Sequence, residues 1–171
     1  NDKPLKEFLC EAFVIWDAQL MRTMAEAIGE KSEAVRFNGL AEARTALWRK
    51  KYLDGDGAVK KELGCQTAYA YALHLGLVEG AGREMTIKRL ADDVKKRGGR
   101  IGTGFLGTAI ICEVLTAAGR SDVAYDLLLN REYPGWLYSV DQGATTIWER
   151  WDSYPKERGF GDANMNSFNH Y

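Results

Sequence analysis

The feature that most constrains this chain is an alternation of two kinds of helical segment. Between Cys65 and Val78 the sequence, QTAYAYALHLGLV at its heart, is apolar almost all round, as a helix buried on several sides must be. The next segment, Glu84 to Arg97, sets Met85, Ile87, Leu90 and Val94 against Lys88, Arg89, Asp92, Asp93, Lys95 and Lys96, so one face is buried and the other wet. Thr108 to Ala118 is again apolar nearly throughout and ends at Gly119, after which Asp122 to Leu129 mixes Val123, Ala124, Leu127 and Leu128 with polar positions. From Thr67 to Thr108 is 41 residues, close to two helices plus two connections, so the unit reads as a repeated helical hairpin; the period of about 34 residues of tetratricopeptide repeats does not fit. An open solenoid and a closed barrel, with an inner ring of apolar helices wrapped by an outer amphipathic ring, both use such hairpins. All-round apolar inner helices favour the closed form, and the expected fold class is all-α.

The flanking segments agree at one end and break the pattern at the other. Leu5, Phe8, Leu9, Phe13, Ile15, Trp16, Leu20, Met24 and Ile28 recur mostly at spacings of three and four, the period of a helix with one buried face, and Gly29 closes it. A second helix is expected from Ser32 as N-cap through Val35, Phe37, Leu40, Ala43, Leu47 and Trp48 to about Leu53. Asp54-Gly55-Asp56-Gly57 turns the chain; it lacks the later ligands of a calcium loop. Beyond Glu132, Tyr133-Pro134-Gly135 cannot continue a helix. Trp136 to Val140 and Ala144 to Trp151 around Asp141-Gln142-Gly143 suggest one short β-hairpin near 136–151. Thr146-Ile147-Trp148-Glu149 fits a helix capping box equally. Asn166 to Tyr171 reads as the cap and first turn of a further helix.

Charge and cysteine usage exclude several classes of function. With 23 basic and 24 acidic residues, a net charge of −1 and no run of like charge, no field exists to recruit nucleic acid or an anionic membrane. The longest apolar stretches, such as Phe105 to Val114, fall far short of the ~20 residues of a membrane span. Cys10, Cys65 and Cys112 are widely spaced within apolar helical patterns and lack any C-x-x-C pairing, so they read as buried thiols, and neither a metal nor a cofactor is called for. His74, inside an apolar helix, reads as a core histidine.

Chemistry-bearing residues concentrate late in the chain. Tyr133, Trp136, Tyr138, Trp148, Glu149, Trp151, Asp152 and Tyr154 fall within 22 residues. Flat aromatic faces stack on the C–H surfaces of sugars while carboxylates and amides read hydroxyls, and a glycosidase places two carboxyl groups about the glycosidic bond. Glu149, between two tryptophans and beside Arg150, is the best candidate for one of them. The plainer readings are that it caps a helix through Thr146 or pairs with Arg150.

The strings TGFLGT (Thr103 to Thr108), AYDLLLNREYPGW (Ala124 to Trp136), GATTIWERWD (Gly143 to Asp152) and NSFNHY (Asn166 to Tyr171), in this order and spacing, resemble the inverting α-L-rhamnosidases, and the likeness extends over nearly the whole chain. It implies an (α/α)6 barrel of the six-hairpin glycosidase type, of which residues 1–171 would be a C-terminal fragment, and hydrolysis of terminal α-L-rhamnosyl groups with inversion. It places the general base on Glu149 and His170 in the sugar pocket. From the residues themselves, at least one of Trp136, Trp148 and Trp151 is expected to face sugar while the others pack, and Phe105, in a turn near the pocket, is a further candidate for substrate binding. The partners implied are a rhamnoside and the rest of the parent catalytic domain. The family's general acid, a glutamate in an acidic motif upstream, has no counterpart before Glu149, so the segment alone is expected to be inactive. A helical binding module that kept the architecture and lost the acid is the other reading.

Overall fold

The computed structural model describes residues 3–162, 164 and 167–170. Of the last motif, Asn166 and Tyr171 lie outside the described residues. Every regular element among those described is helical: α1 (Lys3–Ala27), α2 (Lys31–Tyr52), a 3₁₀ turn (Lys61–Leu63), α3 (Gln66–His74), α4 (Gly80–Lys96), α5 (Phe105–Thr108), α6 (Ile111–Ala117), α7 (Ser121–Leu129) and α8 (Trp136–Asp141). The chain divides into two units, residues 1–64 with 71–86, and 65–70 with 87–171.

In the first unit α1 and α2 pack as a hairpin. Gly29, at φ +81°, adopts the left-handed conformation that ends α1, and its neighbours bond back as Glu30 N to Ala25 O and Gly29 N to Glu26 O. So tight is this turn that α2 starts at Lys31, with Glu30 and not the expected Ser32 as the capping residue. Phe8, Trp48 and Tyr52 form an aromatic cluster with ring centroids 4.8–5.3 Å apart, and the buried Trp48 indole donates to the Phe8 carbonyl at 3.3 Å. The rest of the seam is built from small residues: Ala12, Ala18, Ala25, Ala34 and Ala41 are buried beside Ile15. Other large apolar residues of both helices point elsewhere, with Met24 at 53%, Ile28 at 76%, Val35 at 74% and Leu47 at 60% exposure. Helical periodicity therefore located the helices, and Phe8, Ile15 and Trp48 of the expected faces are buried, but Met24, Ile28, Val35 and Leu47 of the same pattern are not.

Two connections complete this unit. Asp54 Oδ1 accepts from the backbone N–H of Asp56 and Ala58 at 3.1 Å each, which closes the expected turn, and Leu53 bridges Val59. Arg49 reaches from α2 to the Leu77 carbonyl at 2.9 Å and to Glu79 at 2.6 Å, and this pairing holds the Glu79 carboxyl below its ordinary range. His74 is exposed, not buried as expected, because it falls on the last residue of α3 with its ring edge-on to Trp16 and Tyr71. Cys10 is exposed likewise, lying opposite the α1–α2 seam, while Cys65 and Cys112 are half-buried; all three are free thiols.

The second unit carries the amphipathic pattern as read for α4, with Ile87, Leu90, Ala91 and Val94 buried. Buried Gln66 accepts from Gly102 N at 2.6 Å and donates to Arg100 O at 3.1 Å, satisfying both ends of its amide and fixing the 100–102 loop. The helix read over Thr108 to Ala118 is the shorter α6, set apart from α5, which ends at Thr108, and it is not buried all round. Ile111, Val114 and Leu115 face Val123, Ala124 and Leu127 of α7, while Ala109, Glu113, Thr116 and Ala117 are exposed. The β-hairpin expected near 136–151 is absent. Trp136 to Asp141 forms helix α8 after extended Gly135, and a left-handed Gly143 (φ +89°) closes it through Ala144 N to Ser139 O. Alternation of large and polar residues over so short a run suits either structure; the flanking glycines, which are a helix's start and stop, decide it.

Candidate active site

Residues 142–162 hold neither helix nor strand, yet hydrogen bonds define them. Ser153, buried, donates its hydroxyl to Arg150 O at 2.7 Å and accepts from Arg150 N at 3.3 Å, while its carbonyl accepts from Gly161 N at 2.7 Å. The Tyr138 hydroxyl donates to Tyr154 O at 3.1 Å and accepts from Lys156 N at 2.9 Å, tying the loop to α8. The Trp151 indole donates to Thr103 O at 2.7 Å, and its ring stands edge-on to Trp136 at 5.5 Å. Thr103 is itself set by a hydroxyl contact with Thr108 at 2.8 Å and by the close approach of Gly107. The TGFLGT string thus forms a knot beneath Trp151.

Within this frame Glu149 is half-buried and lines a cavity of about 300 Å³ with Phe105, Tyr133, Trp148, Trp151 and Asp152. Its Oε2 accepts from Ser167 N at 2.8 Å, and its own N–H donates to Ser167 O at 2.9 Å. Neither plain reading of Glu149 holds. No helix begins at Thr146, and Arg150 makes a bidentate pair with Asp152 at 2.9 and 3.0 Å. Partial burial, helped by the negative charge of Asp152, pushes the Tyr133 phenol above its ordinary range. Tyr133 precedes Pro134 through a cis peptide bond.

The other candidates divide between neighbouring places. Trp148 and Trp151 line the Glu149 cavity and also a second, of about 390 Å³, where Trp136 joins them with Ser139, Val140 and Thr146. His170 is exposed; its N–H donates to Ile147 O at 2.9 Å and its ring meets the half-exposed Phe105 ring edge-on at 6.0 Å. Ser167 to His170 does not start a helix as read from the sequence. Its backbone is spent on residues 147–149, which have no other ladder to join. Sequence reasoning counted Tyr133 and Asp152 in the late aromatic and carboxylate cluster without choosing them as site residues, and it passed over Thr103, whose signal was its place in the TGFLGT string.

This combination of an all-helical scaffold with a carboxylate among aromatic faces is that of a helical carbohydrate-active domain. Residues 2–171 match the model of the family described as the bacterial α-L-rhamnosidase six-hairpin glycosidase domain, and the chain belongs to that family. An α-L-rhamnosidase of Formosa agariphila is 39% identical over 160 residues, covering 94% of this chain and 17% of that protein. One of Streptomyces avermitilis is 37% identical over 171 residues, covering 100% and 16%. The chain thus spans about a sixth of the length of these relatives. Among solved structures, the S. avermitilis α-L-rhamnosidase complexed with L-rhamnose superposes with a TM-score of 0.91 at 38% identity, covering 97% of this chain and 16% of that one. The Aspergillus terreus α-L-rhamnosidase gives 0.87 at 30%, covering 94% and 18%. The helices described above accordingly follow the six-hairpin glycosidase fold.

Proposed function

We propose that this chain is the C-terminal part of a six-hairpin catalytic domain that hydrolyses terminal α-L-rhamnosyl groups with inversion, and that Glu149 is the general base. The observation that carries the proposal is the placement of Glu149: half-buried, in the wall of a cavity lined by Phe105, Trp148 and Trp151, with one carboxylate oxygen engaged by Ser167 N. The remaining oxygen, Oε1, takes a proton from the attacking water. Inversion needs that water on the face of the sugar opposite the departing oxygen, with the acid roughly 6.5–9.5 Å from the base. The acid comes from another part of the protein. Trp148, Trp151 and Phe105 supply faces for the sugar's C–H surfaces, His170 beside Phe105 a polar contact, and Trp136 supports Trp151 across the ring contact.

The test is Glu149→Gln in the complete protein, assayed on an aryl α-L-rhamnoside. Glutamine keeps shape and hydrogen bonding but removes the base, so kcat falls by about 10²–10⁴-fold while KM changes little. Azide, a nucleophile that needs no base, restores part of the rate and yields a rhamnosyl azide of inverted configuration. A variant that turns over at the wild-type rate defeats the assignment. A complete protein that binds rhamnose but cleaves no α-L-rhamnoside belongs with the non-catalytic modules.

A further inference from the structure

The proposed base sits on a stretch of irregular backbone, and something must fix its direction. A carboxylate that activates water has to be held to within a fraction of an ångström, since misplacement by about 1 Å costs on the order of 10²-fold in rate. Helices and strands give such rigidity through their own ladders; residues 147–149 have none. What they have is a clasp with 167–170. Glu149 N donates to Ser167 O and His170 N to Ile147 O, both at 2.9 Å, and Ser167 N donates to Glu149 Oε2 at 2.8 Å. One side-chain bond remains: the hydroxyl of Thr146 donates to the carbonyl of Phe168. It grips the middle of the 167–170 segment, between the points where Glu149 and His170 are attached. The Phe168 side chain is wedged edge-on between Trp148 at 5.2 Å and Phe160 at 5.4 Å, so rotation of this segment would disturb a wall of the cavity as well.

From this arrangement we infer that Thr146 is a positioning residue for the hydrolysis, its hydroxyl setting the register that aims Glu149 at the attacking water. The inference rests on the general-base reading of Glu149. Valine at this position has nearly the size of threonine but cannot donate, and the Phe168 carbonyl then loses its partner. The two segments remain joined by their backbone bonds and by Ser167 N on Glu149 Oε2, none of which grips the segment at Phe168, and a small slide becomes possible. Serine keeps the donor and drops only a methyl.

The experiment uses the complete protein and an aryl α-L-rhamnoside, comparing Thr146→Val, Thr146→Ser and Glu149→Gln with and without azide. Thr146→Val lowers kcat by about 10- to 100-fold, Thr146→Ser stays within about threefold of wild type, and azide restores part of the valine variant's loss because it bypasses the misaimed base. Recovery by azide separates positioning from damage to the fold, which azide cannot repair. Wild-type kcat in Thr146→Val overturns the inference, as does a loss that neither serine nor azide recovers. If Glu149→Gln is impaired and azide-responsive while Thr146→Val is not impaired, only this inference fails; if Glu149→Gln is fully active, the general-base reading fails with it.

Discussion

Gly107 offers a quantitative test of how the TGFLGT string supports the aromatic wall. A Cβ at this position would lie 2.9 Å from both Cβ and Cγ2 of Thr103 and 3.0 Å from the Thr67 hydroxyl oxygen. Carbon atoms rest comfortably at about 3.5–4.0 Å, so Gly107→Ala forces an overlap of roughly 0.6 Å or more. Thr103 Cβ is bound directly to the main chain and cannot swing away as a long side chain would. Its displacement passes to the carbonyl that accepts the Trp151 indole. Overpacking of this kind costs about 1–3 kcal/mol, and a weakened indole bond adds about 0.5–1.5 kcal/mol. The better helix propensity of alanine returns about 1 kcal/mol. The net expectation is a loss of about 1–3 kcal/mol, read as a lower urea midpoint with unchanged slope, together with altered near-ultraviolet circular dichroism from Trp151. Gly104→Ala, three residues away, is the control: its Cβ meets nothing within 4 Å, and its stability should stay within about 0.5 kcal/mol of wild type. Should Gly107→Ala match its parent in both stability and indole signal, the knot beneath Trp151 is not what holds it.

Two further outcomes follow from the other parts of the chain. A Cβ on Gly82 would lie 2.1 Å from the backbone oxygen of Gly57, an atom with no rotamer to change, so Gly82→Ala should cost about 2 kcal/mol or more in thermal or urea unfolding, whereas Gly55→Ala, with open space around it, should not. Asp122 receives a bidentate contact from Arg120 that lowers its carboxyl pKa to about 2, from 3.8; a depressed carboxyl pKa contributes stability above the unfolded value that is lost as pH falls from about 4 towards 2. Titration of the Asp122 carboxyl by NMR should show its midpoint rise in Arg120→Ala, and an unmoved midpoint would refute the pairing.

How much of this was legible beforehand differs between fold and site, for physical reasons. Helix existence followed from period alone: α1, α2, α4 and α7 lie within a few residues of where apolar spacing put them. The buried faces of α4 and α7 followed as well, through Leu90, Val94, Val123 and Leu127, but those of α1 and α2 followed only in part, because burial depends on the neighbour as much as on the sequence. Where α1 and α2 approach closely, alanines fill the seam and Met24, Ile28, Val35 and Leu47 stay outside, a result no hydropathy ranking contains. The failure at Trp136 to Trp151 has another source. Extended and helical readings of a short mixed run are decided by its ends, and only the backbone angles of Gly135 and Gly143 reveal which kind of ends these are. The site was partly legible because residue types announce chemistry at short range: Trp148, Glu149 and Trp151 are neighbours in sequence and share one cavity. The clasp was not, since it joins Thr146 to Phe168 and Glu149 to Ser167 across about 20 positions through backbone atoms that every residue carries alike. A side chain can advertise what it does; a carbonyl's partner is known only once the chain has come back to it.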